Sequence, residues 1–304
     1  MFSRITRIFH RFLSLPERIK LVQESLGRIE ARQTMFSSSP DEAEFRVFSQ
    51  WGEDGIIQYL INHVSLGRKI FVEFGVENYL QSNTRFLLSN NQWSGLVMDG
   101  SRANIEFIRR DSIYWASNLK AIHAFITKDN INSLLEYNGI SGDIGLLSVD
   151  IDGNDYWVWD AINVISPRIV VCEYNSQFGP TAEITIPYSG DFVRDSAHYS
   201  KIYYGASISA LTVLSASKGY SLVASNSAGN NVFYVRNDVL GDLKVLSISE
   251  AYVHSQFREF HDPHGNLTFD DFETRLMKIR DLPVYDIKRG SVVQLQELFA
   301  TDTF

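Results

Sequence analysis

Two groups of acidic and amide side chains follow apolar segments that have the length of buried strands. Asp150 and Asp152 come after one such segment, and Glu173 and Asn175 come after the next. The alternation of an extended chain places Asp150 and Asp152 on one face, and neighbouring parallel strand ends bring the second group beside them. The sequence therefore predicts a cluster of oxygen atoms at one edge of a sheet.

Two kinds of chemistry fit this cluster. Asp150, Asp152 and Glu173 could bind Mg²⁺ or another hard divalent cation, which would lower the pKa of a substrate hydroxyl. Alternatively, one of these carboxylates or the nearby His198 acts as a general base, with a pKa that neighbouring charges adjust. A structural role, in which the same side chains cap a helix and a loop, is the third interpretation.

A second acidic constellation follows two earlier apolar segments. Glu73 precedes the turn residue Gly75, and Asp99 ends the segment 95–98. In a doubly wound sheet a nucleotide-like ligand lies beyond the carboxyl ends of the strands, where a carboxylate can accept hydrogen bonds from ribose hydroxyls. Glu77 stands where a dinucleotide-binding motif has its second glycine, and it would repel a pyrophosphate. The spacing therefore favours an adenosine-type ligand over NAD.

The segment 176–204 interrupts the periodic pattern with Tyr, Asp, Gly and Pro residues. Its position between a strand and the next helix is typical of a loop that covers a substrate. Tyrosines stack on sugar faces, and a cationic side chain can bind an acidic group. The predicted substrate contacts in and beside this loop are Asn175, Arg194, His198, Tyr203 and Tyr204.

Structural roles are predicted for two histidines and for the cysteine. His261 and His264, three apart and beside a proline, are typical of a surface loop, so no site is predicted there. Cys172 lies within an apolar segment, which argues against a catalytic thiol. A single cysteine cannot form an intramolecular disulfide, and we therefore expect a reduced, cytoplasmic setting.

Apolar and helical segments alternate from residue 45 onward, as in an α/β fold. Helices between apolar strands imply right-handed crossovers and a parallel sheet, and a short connection between the last two strands indicates a hairpin. The expected fold is a Rossmann-like, seven-stranded, mostly parallel sheet with an antiparallel last strand. The predicted strands are 70–74, 95–98, 120–126, 144–149, 168–172, 220–224 and 231–235, and the predicted helices are 84–88, 105–109, 131–137, 156–162 and 206–218.

Four stretches of the chain resemble class I S-adenosylmethionine (SAM) dependent methyltransferases, and most closely the FkbM-like family. The resemblance covers roughly residues 45 to 236, and most studied members of that family methylate hydroxyls on sugars or secondary metabolites. The stretches are FSQWGEDGII at 48–57, VEFGVE at 72–77, LSVDIDGND at 147–155, and the final strand pair with NVFYVR at 231–236.

The resemblance implies roles for individual residues and an activity. Glu73 and Gly75 would line the methionine end of SAM, and Asp99 would bind its ribose. Gln50 and Asp54 would close over the site, and Asp150 would contact the cofactor or the substrate. The implied activity is SAM-dependent O-methylation of a hydroxyl on a glycan or sugar-bearing metabolite. The alternatives are a nucleotide-dependent oxidoreductase or sugar-nucleotide enzyme, and a non-catalytic interaction protein.

Charge is distributed unevenly along the 304 residues. The chain carries a net charge of −8, which a nucleic-acid backbone would repel, so no nucleic-acid partner is expected. Residues 1–34 hold seven Lys or Arg against three Glu, a net +4, which leaves −12 for the remainder. Two amphipathic helices are predicted there, one over residues 5–12 and one that begins near Ser14. They would associate peripherally with the inner face of a membrane, pair in a homo-oligomer, or pack on their own domain.

The expected organisation has three parts. Residues 1–40 form a basic helical arm and linker, residues 41–237 form the methyltransferase-like domain with 176–204 inserted, and residues 238–304 form a partly helical appendage. No apolar run approaches the roughly 18 residues of a membrane-spanning helix, and the first residues lack the pattern of a signal peptide.

Overall fold

A seven-stranded sheet forms the centre of the molecule in the computed structural model, which describes residues 15–255 and 260–299. The described residues form the seven strands of this sheet and five strands of two smaller sheets. They are β1 (Ile70–Phe74), β2 (Ser94–Asp99), β3 (Leu119–His123), β4 (Gly142–Val149), β5 (Ile165–Glu173), β6 (Ile184–Thr185), β7 (Tyr220–Ser225), β8 (Asn231–Arg236), β9 (Phe260–His261), β10 (Leu267–Thr268), β11 (Pro283–Asp286) and β12 (Ser291–Gln294).

The central sheet has the order β3-β2-β1-β4-β5-β8-β7. Strands β1 to β5 pair in parallel, and β8 is antiparallel to both β5 and β7. This arrangement confirms the Rossmann-like, class I methyltransferase fold expected from the sequence. The third strand is shorter than predicted, because the chain leaves the sheet after His123 and residues 124–126 become part of a cavity wall.

The helices cover the two faces of the sheet and its edges. They are α1 (Leu15–Gln33), α2 (Glu53–His63), α3 (Arg85–Asn91), α4 (Arg102–Arg110), α5 (Ser112–Ala116), α6 (Ile131–Tyr137), α7 (Asp155–Ala161), α8 (Arg194–Ala197), α9 (Ile208–Ser217), α10 (Ile248–Ala251) and α11 (Phe272–Ile279). None of the helices within the described ranges is long and apolar enough to cross a membrane.

The central strands are mostly apolar because both faces of the sheet are covered. Val72 and Phe74 of β1 pack into the core on one face, whereas Phe71 packs into the core on the other. In β4, Leu147 and Leu146 divide between the two cores in the same way. This period of two is the expected consequence of strand geometry in a doubly covered parallel sheet.

Helix α1 begins at Leu15, so the predicted helix that follows Ser14 is present. It packs on the body near α2 and α3 through Gly27 and Ala31, which are buried. A Cβ atom at Gly27 would lie 2.4 Å from the Cγ2 atom of Val47, which explains why glycine is needed at this contact. The predicted basic helix over residues 5–12 lies outside the described residues.

The inserted segment 176–204 and the C-terminal segment pack together. Strand β6 of the insertion pairs with β11, which in turn pairs with β12. Phe178 and Ile184 of the insertion share a hydrophobic cluster with Leu276 and Val284 of the C-terminal segment. The segment after residue 238 therefore supports the loop that was predicted to cover the substrate.

Asp143, at the start of β4, joins three strands through two arginines. Its carboxylate accepts hydrogen bonds from the Arg168 Nε atom on β5, at 3.0 Å, and from the Arg236 Nη1 atom on β8, at 2.9 Å. The hydrogen bond from Arg168 and the neighbouring Arg236 lower the pKa of Asp143 below its ordinary value. A lowered pKa in the folded state stabilises the fold above the unfolded-state pKa of about 3.9, and this stabilisation is lost as the pH falls through the folded-state pKa.

We expect Asp143→Asn to lower the free energy of unfolding at pH 7 by about 0.5 kcal/mol, a value reduced for solvent screening because this carboxylate is partly exposed. Urea unfolding at several pH values measures the difference, which should disappear in strong acid. Asp242→Asn, at an exposed position, is the matched control and should leave the stability unchanged. A difference that persists in strong acid would contradict the electrostatic origin.

Candidate active site

Two connected cavities open at the carboxyl ends of the central strands. The large chamber has a volume of about 640 Å³, and its walls include Met98, Asp99, Phe125, Phe192, Arg194 and His261. The acidic chamber has a volume of about 170 Å³, and its walls include Gln50, Gln81, Asp150, Glu173 and Asn230. Both chambers share Gly75, Glu77, Asp152 and Arg194, so these four residues stand at the boundary between them.

Gly75 allows the turn after β1 to contact the turn after β4. Its φ angle of +67° lies in the left-handed region, and a Cβ atom there would lie 1.6 Å from the carbonyl oxygen of Asp150. Any side chain at this position would therefore displace the backbone that carries Asp150. The glycine is required by this close backbone packing.

Asp99 is the last residue of β2 and lines the large chamber. Its carboxylate accepts hydrogen bonds from the backbone N–H of Glu77 at 2.8 Å and of Ser101 at 2.7 Å, and from the Nδ2 atom of Asn104 at 3.1 Å. A carboxylate has about four acceptor positions, so one is left for a ligand. Asp99 lies beside Phe125 and other mainly apolar residues that follow β3.

Three carboxylates meet between the ends of β4 and β5. Asp150, Asp152 and Glu173 each place an oxygen atom within 4.8 Å of the others. Burial, and then the charge of neighbouring carboxylates, raises the pKa values of Asp150 and Glu173 well above their ordinary range. The Oε2 atom of Glu173 is buried and has no hydrogen-bond partner among the described residues. The cluster can therefore accept a proton, a cation or a hydrogen bond from a ligand.

Arg194 supplies the positive charge that faces this cluster. Its guanidinium forms an ion pair with Asp152, donates from Nε to the carbonyl of Lys201 at 3.0 Å, and lies 3.8 Å from the ring centre of Tyr204. The guanidinium also lowers the pKa values of Asp150 and Glu173, opposing the effect of burial. Arg194 thus holds the loop against the carboxylates and separates the two chambers.

Asp155, the first residue of α7, fixes the turn that carries the cluster. Its carboxylate accepts hydrogen bonds from the backbone N–H groups of Ile151 and Gly153, at 2.8 and 2.9 Å. Burial raises the pKa of Asp155 to about 6, although these hydrogen bonds oppose the shift. The turn includes Asp152 at a φ angle of +55°, a left-handed conformation that aspartate tolerates better than most residues. The structural interpretation, in which carboxylates cap this turn, therefore applies to Asp155.

The structure brings many of the sequence-predicted site residues into the chamber walls. Gly75, Asp99, Arg194 and the three clustered carboxylates come from segments that are far apart in the sequence. Their convergence follows from the parallel strand ends of the central sheet. The predicted residues that line a chamber are Gln50, Gly75, Asp99, Asp150, Asp152, Glu173 and Arg194.

Two residues predicted to contact the cofactor serve the framework instead. The Asp54 carboxylate accepts hydrogen bonds from the backbone N–H groups of residues 47–49, at 2.6 to 2.8 Å, and it lines neither chamber. The Glu73 carboxylate accepts hydrogen bonds from Asn83 N–H at 2.8 Å and from Thr84, which fixes the start of α3. Burial raises the pKa of Asp54 to about 6 and that of Glu73 to about 7.

Four residues predicted to contact the substrate or act as a base also lie outside the chamber walls. The Asn175 amide donates to the carbonyls of Ile202 and Tyr204, and the Tyr203 hydroxyl donates to the carbonyl of Pro283. Tyr204 is buried beneath Arg194. His198 Nδ1 is 2.7 Å from the Ser200 hydroxyl, and burial lowers the pKa of this imidazole. These side chains stabilise the loop and do not line a chamber.

Sequence reasoning missed several residues of the chamber walls. His261 was assigned to a surface loop, yet its ring lines the large chamber, and its Nδ1 atom has no hydrogen-bond partner among the described residues. Phe125, Phe192, Gln81 and Asn230 line the chambers as well. Their only sequence signal is a position in a segment that connects strands and helices, or within the insertion. Many residues without a role in the site share such a position.

Neither a protein-family model nor a curated protein matches the chain. Solved structures do match. The N-terminal domain of EvdMO1 with SAH bound is 11% identical, with a TM-score of 0.42 over 68% of this chain and 94% of that domain. A SAM-dependent methyltransferase from Clostridium acetobutylicum is 10% identical, with a TM-score of 0.39 over 60% of this chain and 90% of that one.

An O-methyltransferase from Bacillus cereus in complex with SAH is 12% identical, with a TM-score of 0.36 over 60% of this chain and 80% of that one. The similar structures named here are thus methyltransferases. At these low identities and TM-scores, the fold assignment rests on the strand order of this chain.

The unpartnered oxygen of Glu173 suggests a direct test of cation binding. We expect Glu173→Gln to weaken Mg²⁺ or Mn²⁺ binding at least 100-fold, because the loss of supporting residues alone costs about 10- to 100-fold at metal sites. Isothermal titration calorimetry measures the affinity. In the native protein the affinity should increase as the pH rises through the raised pKa values of Asp150 and Glu173, since a cation binds the ionised carboxylates.

Asp242→Asn is the control for general charge, and it should bind the cation like the native protein. Equal affinity of the native protein and Glu173→Gln would show that this cluster does not hold the cation.

Proposed function

We propose that this protein is a SAM-dependent methyltransferase that transfers a methyl group to a hydroxyl oxygen. The observation that carries the proposal is the juxtaposition of a nucleoside-sized chamber, with Asp99 in its wall, and a chamber that contains the cluster of Asp150, Asp152 and Glu173. The first suits an adenosine group, and the second suits positive charge and proton removal.

The nucleoside would lie in the large chamber. Asp99 has an acceptor position for ribose hydroxyls, and Phe125 and Ile126 offer apolar contact for an adenine ring. Glu77, at the boundary of the chambers, disfavours a pyrophosphate and so disfavours NAD or a sugar nucleotide. The negative charge of Glu77 therefore favours a methyltransferase over the alternative of a nucleotide-dependent oxidoreductase or sugar-nucleotide enzyme.

The methionine end would lie toward the acidic chamber. SAM supplies a sulfonium-bound methyl group when it is bound, and the carboxylates complement the positive charges of its sulfonium and ammonium groups. Gln50, Gln81 and Asn230 offer amide hydrogen-bonding groups in the same walls. The side chains of this chain thus offer contacts to the ribose, the sulfonium and the ammonium group of the cofactor.

Removal of the hydroxyl proton is the step that the cluster is suited to perform. A carboxylate with a raised pKa is a stronger base than an ordinary one. Burial, and then the charge of neighbouring carboxylates, raises the pKa values of Asp150 and Glu173. Arg194 would position the insertion over the reacting groups and help exclude water.

A divalent cation also fits the cluster, since all three groups offer oxygen atoms and Glu173 has a buried, unpartnered one. Asp150, Asp152 and Glu173 would hold it. When bound, the cation would lower the pKa of the acceptor hydroxyl.

The acceptor that we propose is a glycan or sugar-bearing metabolite. The sequence resemblance to FkbM-like methyltransferases supports this class. Phe192 and Phe125 in the walls of the large chamber offer apolar surfaces of the kind on which sugar rings pack. The volume of about 640 Å³ leaves space for part of an acceptor beside a nucleoside.

Calorimetric titration with S-adenosylhomocysteine tests the cofactor site. We expect micromolar binding, about −8 kcal/mol, and a loss of about 10- to 100-fold in Asp99→Ala, because hydrogen bonds to a charged group contribute about 1.5 to 3 kcal/mol. Asp242→Ala should bind like the native protein. Thermal melting of each variant must show that it is folded.

If the native protein bound NAD and not S-adenosylhomocysteine, the oxidoreductase alternative would replace the methyltransferase. If it bound neither, the non-catalytic interpretation would be favoured.

The two histidines near the insertion give a second test once a sugar acceptor has been identified by screening. We expect His261→Gln to lower kcat/KM about tenfold, because His261 lines the large chamber that would hold part of the acceptor and the loss of one hydrogen bond costs about 0.5 to 1.5 kcal/mol. His198→Gln should change kcat/KM less than twofold, because His198 lies outside the chamber walls. Steady-state formation of S-adenosylhomocysteine measures both. The reverse ranking would move the role of base from the carboxylate cluster to His198.

A further inference from the structure

Helix α1 carries an apolar stripe that the described chain leaves uncovered. Its side chains are about half exposed, between 47% and 60%, although each is a large aliphatic group. A row of such residues along one helix is unusual on a monomer, whereas single exposed apolar residues are common. The residues of this stripe are Leu15, Ile19, Val22, Leu26 and Ile29.

The helix contacts its own domain through a different face. Gly27 and Ala31 are buried, and the Gln23 amide donates to the carbonyl of Val47. The close contact at Gly27 fixes the rotation of the helix about its axis. This rotation directs the stripe away from the domain.

The stripe follows the spacing of a coiled coil. Its residues alternate at intervals of four and three. The five apolar residues of helix α1 therefore occupy successive core positions of a heptad repeat. A strict repeat of 3.5 residues is what two helices need in order to keep one seam in contact as they wind around each other.

We propose that this stripe pairs with the same stripe of a second copy of the chain, so that the protein is a dimer joined by a two-stranded coiled coil. The domain occupies the side of the helix next to Gln23, which leaves one seam open and limits the number of strands.

The charges favour a second copy over a membrane. Helix α1 carries four basic and three acidic residues, so it is nearly neutral, and the whole chain has a net charge of −8. A nearly neutral helix gains little attraction from an anionic lipid surface, which binds clusters of Lys and Arg. Helices that lie on membranes usually have a wide apolar face, whereas this stripe is narrow and bordered by Arg18, Ser25 and Arg32.

Leu21 and Leu26 give a matched pair of variants. Both are 57% exposed on the same helix, but only Leu26 lies on the stripe. We expect the native protein to sediment at twice the monomer mass at micromolar concentration. Leu26→Glu should weaken dimerisation about 100-fold or more, because it would bury a charge in the seam, and Leu21→Glu should leave it unchanged. Circular dichroism confirms that each variant is folded.

A disulfide test provides a second measurement. Val22→Cys should form a cross-linked dimer under mild oxidation, and Leu21→Cys should not, while the native Cys172 is fully buried and does not interfere. A monomeric native protein, or equal effects of Leu21→Glu and Leu26→Glu, would overturn the proposal. It would likewise be overturned by a monomer that binds phosphatidylcholine–phosphatidylglycerol vesicles and loses that binding in Leu26→Glu, since the stripe would then be a membrane surface.

Discussion

Mutual repulsion among three carboxylates is the constraint around which this site is built. Asp150, Asp152 and Glu173 each place an oxygen atom within 4.8 Å of the others, and burial already disfavours the charges of Asp150 and Glu173. Such a cluster persists only when a positive charge, a proton or a ligand offsets the repulsion. Arg194 supplies the positive charge, and its ion pair with Asp152 fixes the inserted segment against the strand ends.

The position of the cluster depends in turn on close packing of the backbone. Gly75 brings the turn after β1 against the carbonyl of Asp150, and Asp155 holds the following turn by two backbone hydrogen bonds. The same carboxylates would complement a cationic cofactor and take up a proton. The interactions that stabilise the strand ends therefore also fix the positions of the carboxylates that would take part in the chemistry.

The insertion and the C-terminal segment complete the large chamber from outside the central sheet. Strand β6 pairs with β11, and the N–H group of His261 donates to the carbonyl of Ser200 at 3.2 Å. These contacts support the loop that carries Arg194. A segment that has little periodicity in the sequence thus contributes a wall of the site because it packs on the insertion.

The sequence by itself determined the seven strands of the central sheet and the location of the acidic cluster, whereas β6 and β9 to β12 lie in segments that were predicted as a loop and a partly helical appendage. Alternating apolar periodicity is a local property, and parallel strand ends must meet at one edge, so Asp99, Asp150 and Glu173 could be placed without the structure. Only the tertiary structure decided how each polar side chain is used. Glu73 and Asp54 have the residue types of a binding site, yet buried backbone N–H groups of the neighbouring segments 83–84 and 47–49 occupy their carboxylates. His261 joined the site through packing between segments far apart in the chain, and no local pattern records such contacts.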